Sequence, residues 1–193
     1  MRVLAIAILG SLAAMGLAAD PTPVRVVIRT DKGDIEAELD AAKAPATVAN
    51  FLRYVDAKMY DGARFHRTVT PGNQPDKKVK IEVIQAGLAP EREKDAFPAI
   101  KLERTRDTKL AHKDGTLSMA RDGPDTAQAD VFVCIGDQPE LDFGGKRNPD
   151  GQGFAAFGKV TKGMDVVRAI QKSKAAGQTL EPPVKIVEMR RLP

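Results

Sequence analysis

The 193-residue chain has one cysteine, two histidines and no tryptophan. A lone Cys134 excludes an internal disulfide, and its place in the apolar run "VFVCIG" reads as a buried core thiol. His66, His112 and Cys134 stand too far apart for the short ligand spacings of a zinc site, so no metal and no cofactor are expected. No G-x-S-x-G elbow occurs, and neither histidine has an evident serine partner, which leaves a hydrolase without support. Lys and Arg number 30 against 26 Asp and Glu, a net charge of +4, and the signs are interspersed as in "EREKD" and "KLERTRDTK". Such stretches read as solvated faces, not as a stripe for nucleic acid. "NPDGQG" at 148–153 has the opening of a calcium loop but lacks its closing glutamate, so it reads as a solvated turn. Repeats and low-complexity tracts are absent.

Long apolar runs are confined to the start. "MRVLAIAILGSLAAMGLAAD" has one positive charge, an apolar stretch and small residues before Asp20, the layout of a secretory signal cut after Ala18 or Ala19. Its apolar run is short for a membrane span. The expectation is a signal over 1–19 and one domain over 20–193, exported, most simply to the periplasm, with no membrane attachment after cleavage.

The mature segment opens on two strand-like runs around "DKG", a hairpin whose glycine takes the residue with positive φ. In "APATVANFLRYVDAKMY", Val48, Phe51, Leu52, Val55 and Met59 follow a helical period, and Pro45 suits a first turn. Short β-rich runs then succeed one another: "RFHRTV", "VKIEVIQAG", "AIKLE", "GTLSMA", "VFVCIG", "FAAFGKV" and "VKIVEMRRL", with a second helix at "GMDVVRAIQK". Strands adjacent in sequence favour an antiparallel barrel or sandwich over a doubly wound sheet. Periodicity alone does not choose between the two.

The order of four blocks does. "NFLRYVDAKMYDGARFHRTV", "IQAG", "GTLSMARDGPDTAQADVFVCIG" and "LDFGGKRNPDGQGFAAFGKVTKGMDVV" follow one another as in the cyclophilins, the peptidyl-prolyl cis-trans isomerases, which the chain resembles from about Val24 to Leu192. That resemblance implies a mainly β fold, a closed eight-stranded antiparallel barrel with two capping helices. It also implies an isomerase of Xaa-Pro bonds that assists the folding of exported proteins. Proline-containing peptides and unfolded exported chains would be its partners, and a monomer is expected. A cyclophilin-like binding module or holdase with little turnover is the alternative.

The chemistry asks little of a side chain. Rotation about the bond before proline meets a barrier of about 18–20 kcal/mol because resonance must be broken. As the bond twists, the nitrogen lone pair localises, and a donor aimed at that nitrogen binds the twisted state preferentially. Arginine stays protonated and presents rigidly placed donors. By resemblance Arg67 of "FHR" is the catalytic arginine, while His66 is a packing residue and His112 in "LAHKDGT" a loop residue. Strand alternation in a regular strand puts Phe65 on the same face as Arg67, so Phe65 joins the expected site. The resemblance further implies that Phe132, Leu141 and Phe154 wall a proline pocket and that Gln85 orients the arginine. Ala120 and Arg121 would meet the peptide main chain.

Four departures from the family pattern stand out. "IEVIQAG" replaces a run that supplies a phenylalanine and a methionine, placing Glu82 and Val83 there, unless Ile81 takes the aromatic's position. An extra basic segment, "TPGNQPDKKVK", precedes it. Asp130 replaces a glutamine that touches substrate, on the same strand face as Gln128 and Phe132, within expected ion-pair reach of Arg67 or else of Arg121. Glu140 stands where vertebrate members often carry tryptophan.

Overall fold

The first hairpin shows how the local sequence sets the frame. Strand β1 (Val24–Thr30) pairs antiparallel with β2 (Gly33–Leu39), and Gly33 closes the turn at φ +129°, where an L side chain is strained. The computed structural model describes residues 23–193; the signal expected over 1–19 lies outside them. Helix α1 (Pro45–Asp56) starts on Pro45 without a side-chain cap at Ala44. The Glu103 carboxylate instead accepts the Ala46 and Thr47 N–H groups at 3.1 and 2.8 Å, satisfying first-turn donors from a distant segment.

The remaining strands are β3 (Arg64–Val69), β4 (Val83–Gly87), β5 (Thr116–Met119), β6 (Val131–Cys134), β7 (Ala155–Lys162), β8 (Ala175–Ala176) and β9 (Thr179–Arg191). Their order is β1-β2-β7-β5-β6-β4-β3-β9-β8, and β1 also pairs with β9. Eight strands therefore close into an antiparallel barrel without free edges, and the two-residue β8 is an addition on β9. Besides the four-residue α2 (Thr105–Thr108), α3 (Met164–Gln171) begins after Gly163. Helix α1 packs on β7 and β9, and α3 on β2, β3 and β4. Val48, Phe51 and Val55 of α1 and Val167 and Ile170 of α3 join the barrel interior with Ile28, Ile35, Phe65, Leu117 and Phe157.

A second apolar cluster lies on the opposite face of the sheet. It comprises Val69, Ile81, Val83, Phe132, Cys134, Leu141 and Phe154, against which Ala120 packs. Alternation separates the clusters: along β6, Val131 and Val133 enter the interior while Phe132 and Cys134 face the other way. Cys134 is fully buried, as expected.

The expected strand at "AIKLE" does not form; Ile100 makes one isolated bridge to Ala127. "VKIEVIQAG" becomes strand only from Val83, because the segment before it is engaged with side chains of the preceding loop.

Candidate active site

Register lines up one residue from each of four strands. Arg67 lies opposite Gln85, Gln85 opposite Phe132, and Phe132 opposite Ser118. The first three of these residues face a cleft of about 600 Å³ that Arg67, Val83, Gln85, Ala120, Arg121, Asp130, Phe132, Leu141 and Phe154 all line, while Ser118 lies buried beneath it. Nine of the ten residues expected in the site thus converge on one cavity.

Phe65 does not. The β3–β4 register pairs Phe65 with Ala86 and then Arg67 with Gln85, so His66 is an inserted bulge residue. The bulge breaks the alternation assumed for a regular strand and sends Phe65, fully buried, into the barrel interior. His66 sits off the cleft, its Nε2 3.8 Å from Asp130 Oδ2. Burial, more than the neighbouring arginines, holds its imidazole below the ordinary value, while Asp130 pulls the other way.

Arg67 is held from two sides. Its Nε and Nη2 both donate to Gln178 Oε1, at 3.0 and 2.6 Å, and its Nη1 donates to Gln85 Oε1 at 2.9 Å. Gln178 in turn donates to the Asn73 carbonyl at 3.1 Å. Gln178 was not legible as a site residue: it follows Gly177 in the β8–β9 turn, over a hundred positions from Arg67, and nothing local marks it. Burial lowers the Arg67 guanidinium from its ordinary value, yet arginine starts so high that the group stays charged at neutral pH.

Asp130 pairs with neither arginine. Its Oδ2 accepts Gln85 Nε2 at 2.9 Å, so its charge reaches Arg67 only through that amide. Burial raises its carboxyl above the ordinary range, partly offset by the Gln85 hydrogen bond and by His66. Gly87 makes room for it: an added Cβ there would collide with the carboxylate. Arg121 is instead taken by Asp150, at 2.8 and 3.0 Å, and by the Gly153 carbonyl at 2.8 and 2.7 Å. The "NPDGQG" turn therefore serves a structural ion pair, and Arg121 also lies over the Phe154 ring.

The hollow beside Arg67 is apolar. The Phe132 and Phe154 rings meet edge to face at 5.4 Å, and Val83, Ile81 and Leu141 complete the walls. Ile81, not Glu82, lines the hollow. Glu82 turns away and accepts Gln171 Nε2 of α3 at 3.0 Å.

His112 belongs to a loop in its backbone only. Its ring is buried and stacks on Phe132 at 5.9 Å. Nδ1 meets Asp142 Oδ1 at 2.7 Å and Nε2 meets Ser118 Oγ at 2.9 Å. The serine partner absent from local sequence is thus supplied by β5. The three form the order of a nucleophilic triad, but Ser118 is fully buried behind Phe132, where no acyl group reaches it. Their role here is to support the Phe132 ring.

The comparisons agree with this geometry. The family model for cyclophilin type peptidyl-prolyl cis-trans isomerases matches residues 25–191. The chain is 35% identical over 150 residues to peptidyl-prolyl cis-trans isomerase cyp18 of Streptomyces antibioticus, covering 77% of this chain and 84% of that protein. Against peptidyl-prolyl cis-trans isomerase A of Dickeya dadantii it is 36% identical over 153 residues, covering 78% and 73%. Among solved structures, a cyclophilin type isomerase of Cryptosporidium parvum superposes with a TM-score of 0.71 at 20% identity, over 89% of this chain and 98% of that one. A second crystal structure of that protein, determined in the presence of the dipeptide Ala-Pro, gives 0.68 at 20% identity, over 88% and 99%. The chain belongs to the cyclophilin type peptidyl-prolyl cis-trans isomerase family, and its class of activity is that of an isomerase.

Proposed function

We propose that Arg67 is the catalytic residue of this isomerase and that the apolar hollow of Phe132, Phe154, Leu141, Val83 and Ile81 grips the proline ring. The observation that carries the assignment is the state of the Arg67 donors. Of the five N–H groups of a guanidinium, Gln178 takes two and Gln85 one, which leaves two for a ligand in the cleft. A donor fixed before the reaction binds the localised lone pair of the twisted imide and finds little to bind in the planar one. No base or nucleophile is needed, which agrees with His66 lying outside the cleft. The Ala120 N–H is spent on the Asp130 carbonyl at 2.8 Å, so main-chain pairing with a peptide falls to the Ala120 carbonyl.

The clients we infer are proline-containing segments of unfolded exported proteins, met by a monomer in the periplasm. The signal-like residues 1–19 support that destination. Exchange spectroscopy or a protease-coupled assay on a blocked Ala-Pro peptide, run on wild type and Arg67→Ala, tests the assignment. Loss of one preorganised donor should lower kcat/KM about 100-fold, some 3 kcal/mol. A folded Arg67→Ala variant with wild-type turnover overturns it.

A further inference from the structure

Four cations line the cleft; Arg121 is paired with Asp150, which leaves Arg67, Arg147 and Lys77. Arg147 is positioned by the segment that the family pattern lacks. Its Nη1 donates to Gln74 Oε1 and to the Val79 carbonyl, both at 2.8 Å, and its backbone N–H donates to the Glu140 carbonyl at 3.1 Å. Gln74 is itself buried and donates to the Thr70 and Ile81 carbonyls at 2.7 and 2.8 Å. The inserted chain is therefore a fixed bracket, and it holds the guanidinium beside Ile81 and Leu141 at the rim of the apolar hollow.

All the acceptors that Arg147 reaches are uncharged. Among the described residues no carboxylate oxygen lies within 4.0 Å of Arg147 or of Arg67. Of the nearby acids, Asp150 holds Arg121, Glu140 accepts the Lys146 N–H at 2.7 Å, and Asp130 accepts Gln85. Glu93 and Asp122 also line the cleft, close enough to Asp130 to help raise its carboxyl, and both lie beyond 4.0 Å of either guanidinium. Burial and the like charge of Arg67 both press the Arg147 guanidinium down from its ordinary value. Two half-buried cations that share a cleft without an anion between them gain from a ligand that brings one.

We propose that Arg147, with Arg67 and Lys77 beside it, forms an anion subsite, so that the enzyme prefers Xaa-Pro peptides carrying a carboxylate side chain within two residues of the proline. The inference rests on the isomerase reading and narrows its substrate class. A carboxylate entering this rim meets a guanidinium whose Nη1 is already fixed, which favours pairing at low cost in side-chain freedom.

Matched peptides blocked at both ends, with Glu or Gln one or two positions before or after the proline, measure the effect. In wild type at low ionic strength, Glu should raise kcat/KM about three- to ten-fold over Gln in at least one position, and the ratio should shrink towards one in about 1 M salt. Arg147→Gln should abolish the ratio and Arg147→Lys should keep most of it. The Gln peptides report isomerase turnover separately, and peptide Kd values from NMR titration give the same ratio if turnover is slow. A Glu-to-Gln ratio of one at low salt in all positions overturns the proposal, as does a ratio that survives in Arg147→Gln.

Discussion

Gln178 offers the sharpest test of whether preorganisation of Arg67 matters. Replacing it with alanine removes both bonds on its Oε1, at 3.0 and 2.6 Å, and leaves the guanidinium tethered by Gln85 alone. A freed arginine side chain regains up to about 2 kcal/mol of rotamer entropy, and the remaining tether keeps part of that in check. A loss of about 1–2 kcal/mol of transition-state binding follows, which is a 5- to 30-fold lower kcat. KM should stay within about twofold, because the apolar hollow does not involve Gln178. Gln178→Glu restores an acceptor of the same reach and should recover part of the lost kcat, short of wild type because its carboxylate also draws on the guanidinium. Exchange spectroscopy at saturating and sub-saturating peptide separates kcat from KM, and a melting curve checks the fold. An unchanged kcat in Gln178→Ala, or a rise in KM alone, would refute the reasoning, since a merely structural contact would not split the two constants this way.

Three further predictions concern two groups that burial has displaced from their ordinary ionisation. Asp130 holds its proton to a higher pH in the fold than in the unfolded chain, so its ionised form costs stability above that range, and the cost vanishes near pH 3 where both states are protonated. Asp130→Asn should therefore raise Tm at pH 7–8 and leave it unchanged near pH 3. The same change removes the negative charge behind Gln85 and should raise kcat/KM on an uncharged Ala-Pro peptide about two- to five-fold; a lower or equal value counts against it. Burial pushes the Cys134 thiol far up, so its contribution to stability is present below the unfolded thiol value of about 8.5 and is lost as pH rises beyond it. Native Cys134 should react with a thiol reagent at least about 100-fold more slowly than in urea, and fast labelling would show that the cluster under the cleft opens readily.

The fold was legible where order along the chain carries the information, and the site only where alternation holds. The hairpin at Gly33, α1, α3 and most strands announce themselves by turn residues and period, and the succession of blocks selects a barrel over a sandwich. Phe65 was misplaced because a single inserted residue, His66, reverses the facing that alternation predicts; no residue type signals that bulge in advance. His112, Ser118 and Asp142 were opaque for another reason. Each looks polar and dispensable alone, and only the fold closes them into one buried network beneath Phe132. The ion pair expected at Asp130 failed because Asp150 lies nearer to Arg121 and because Gln85 is long enough to stand between Asp130 and Arg67. Glu82 shows the opposite case. In sequence it threatens the hollow, but a charged side chain leaves an apolar wall whenever a partner is in reach, and Gln171 supplies one while Ile81 lines the hollow. The departures from the family pattern therefore leave the hollow intact and act instead on its rim, where charge rather than shape has changed.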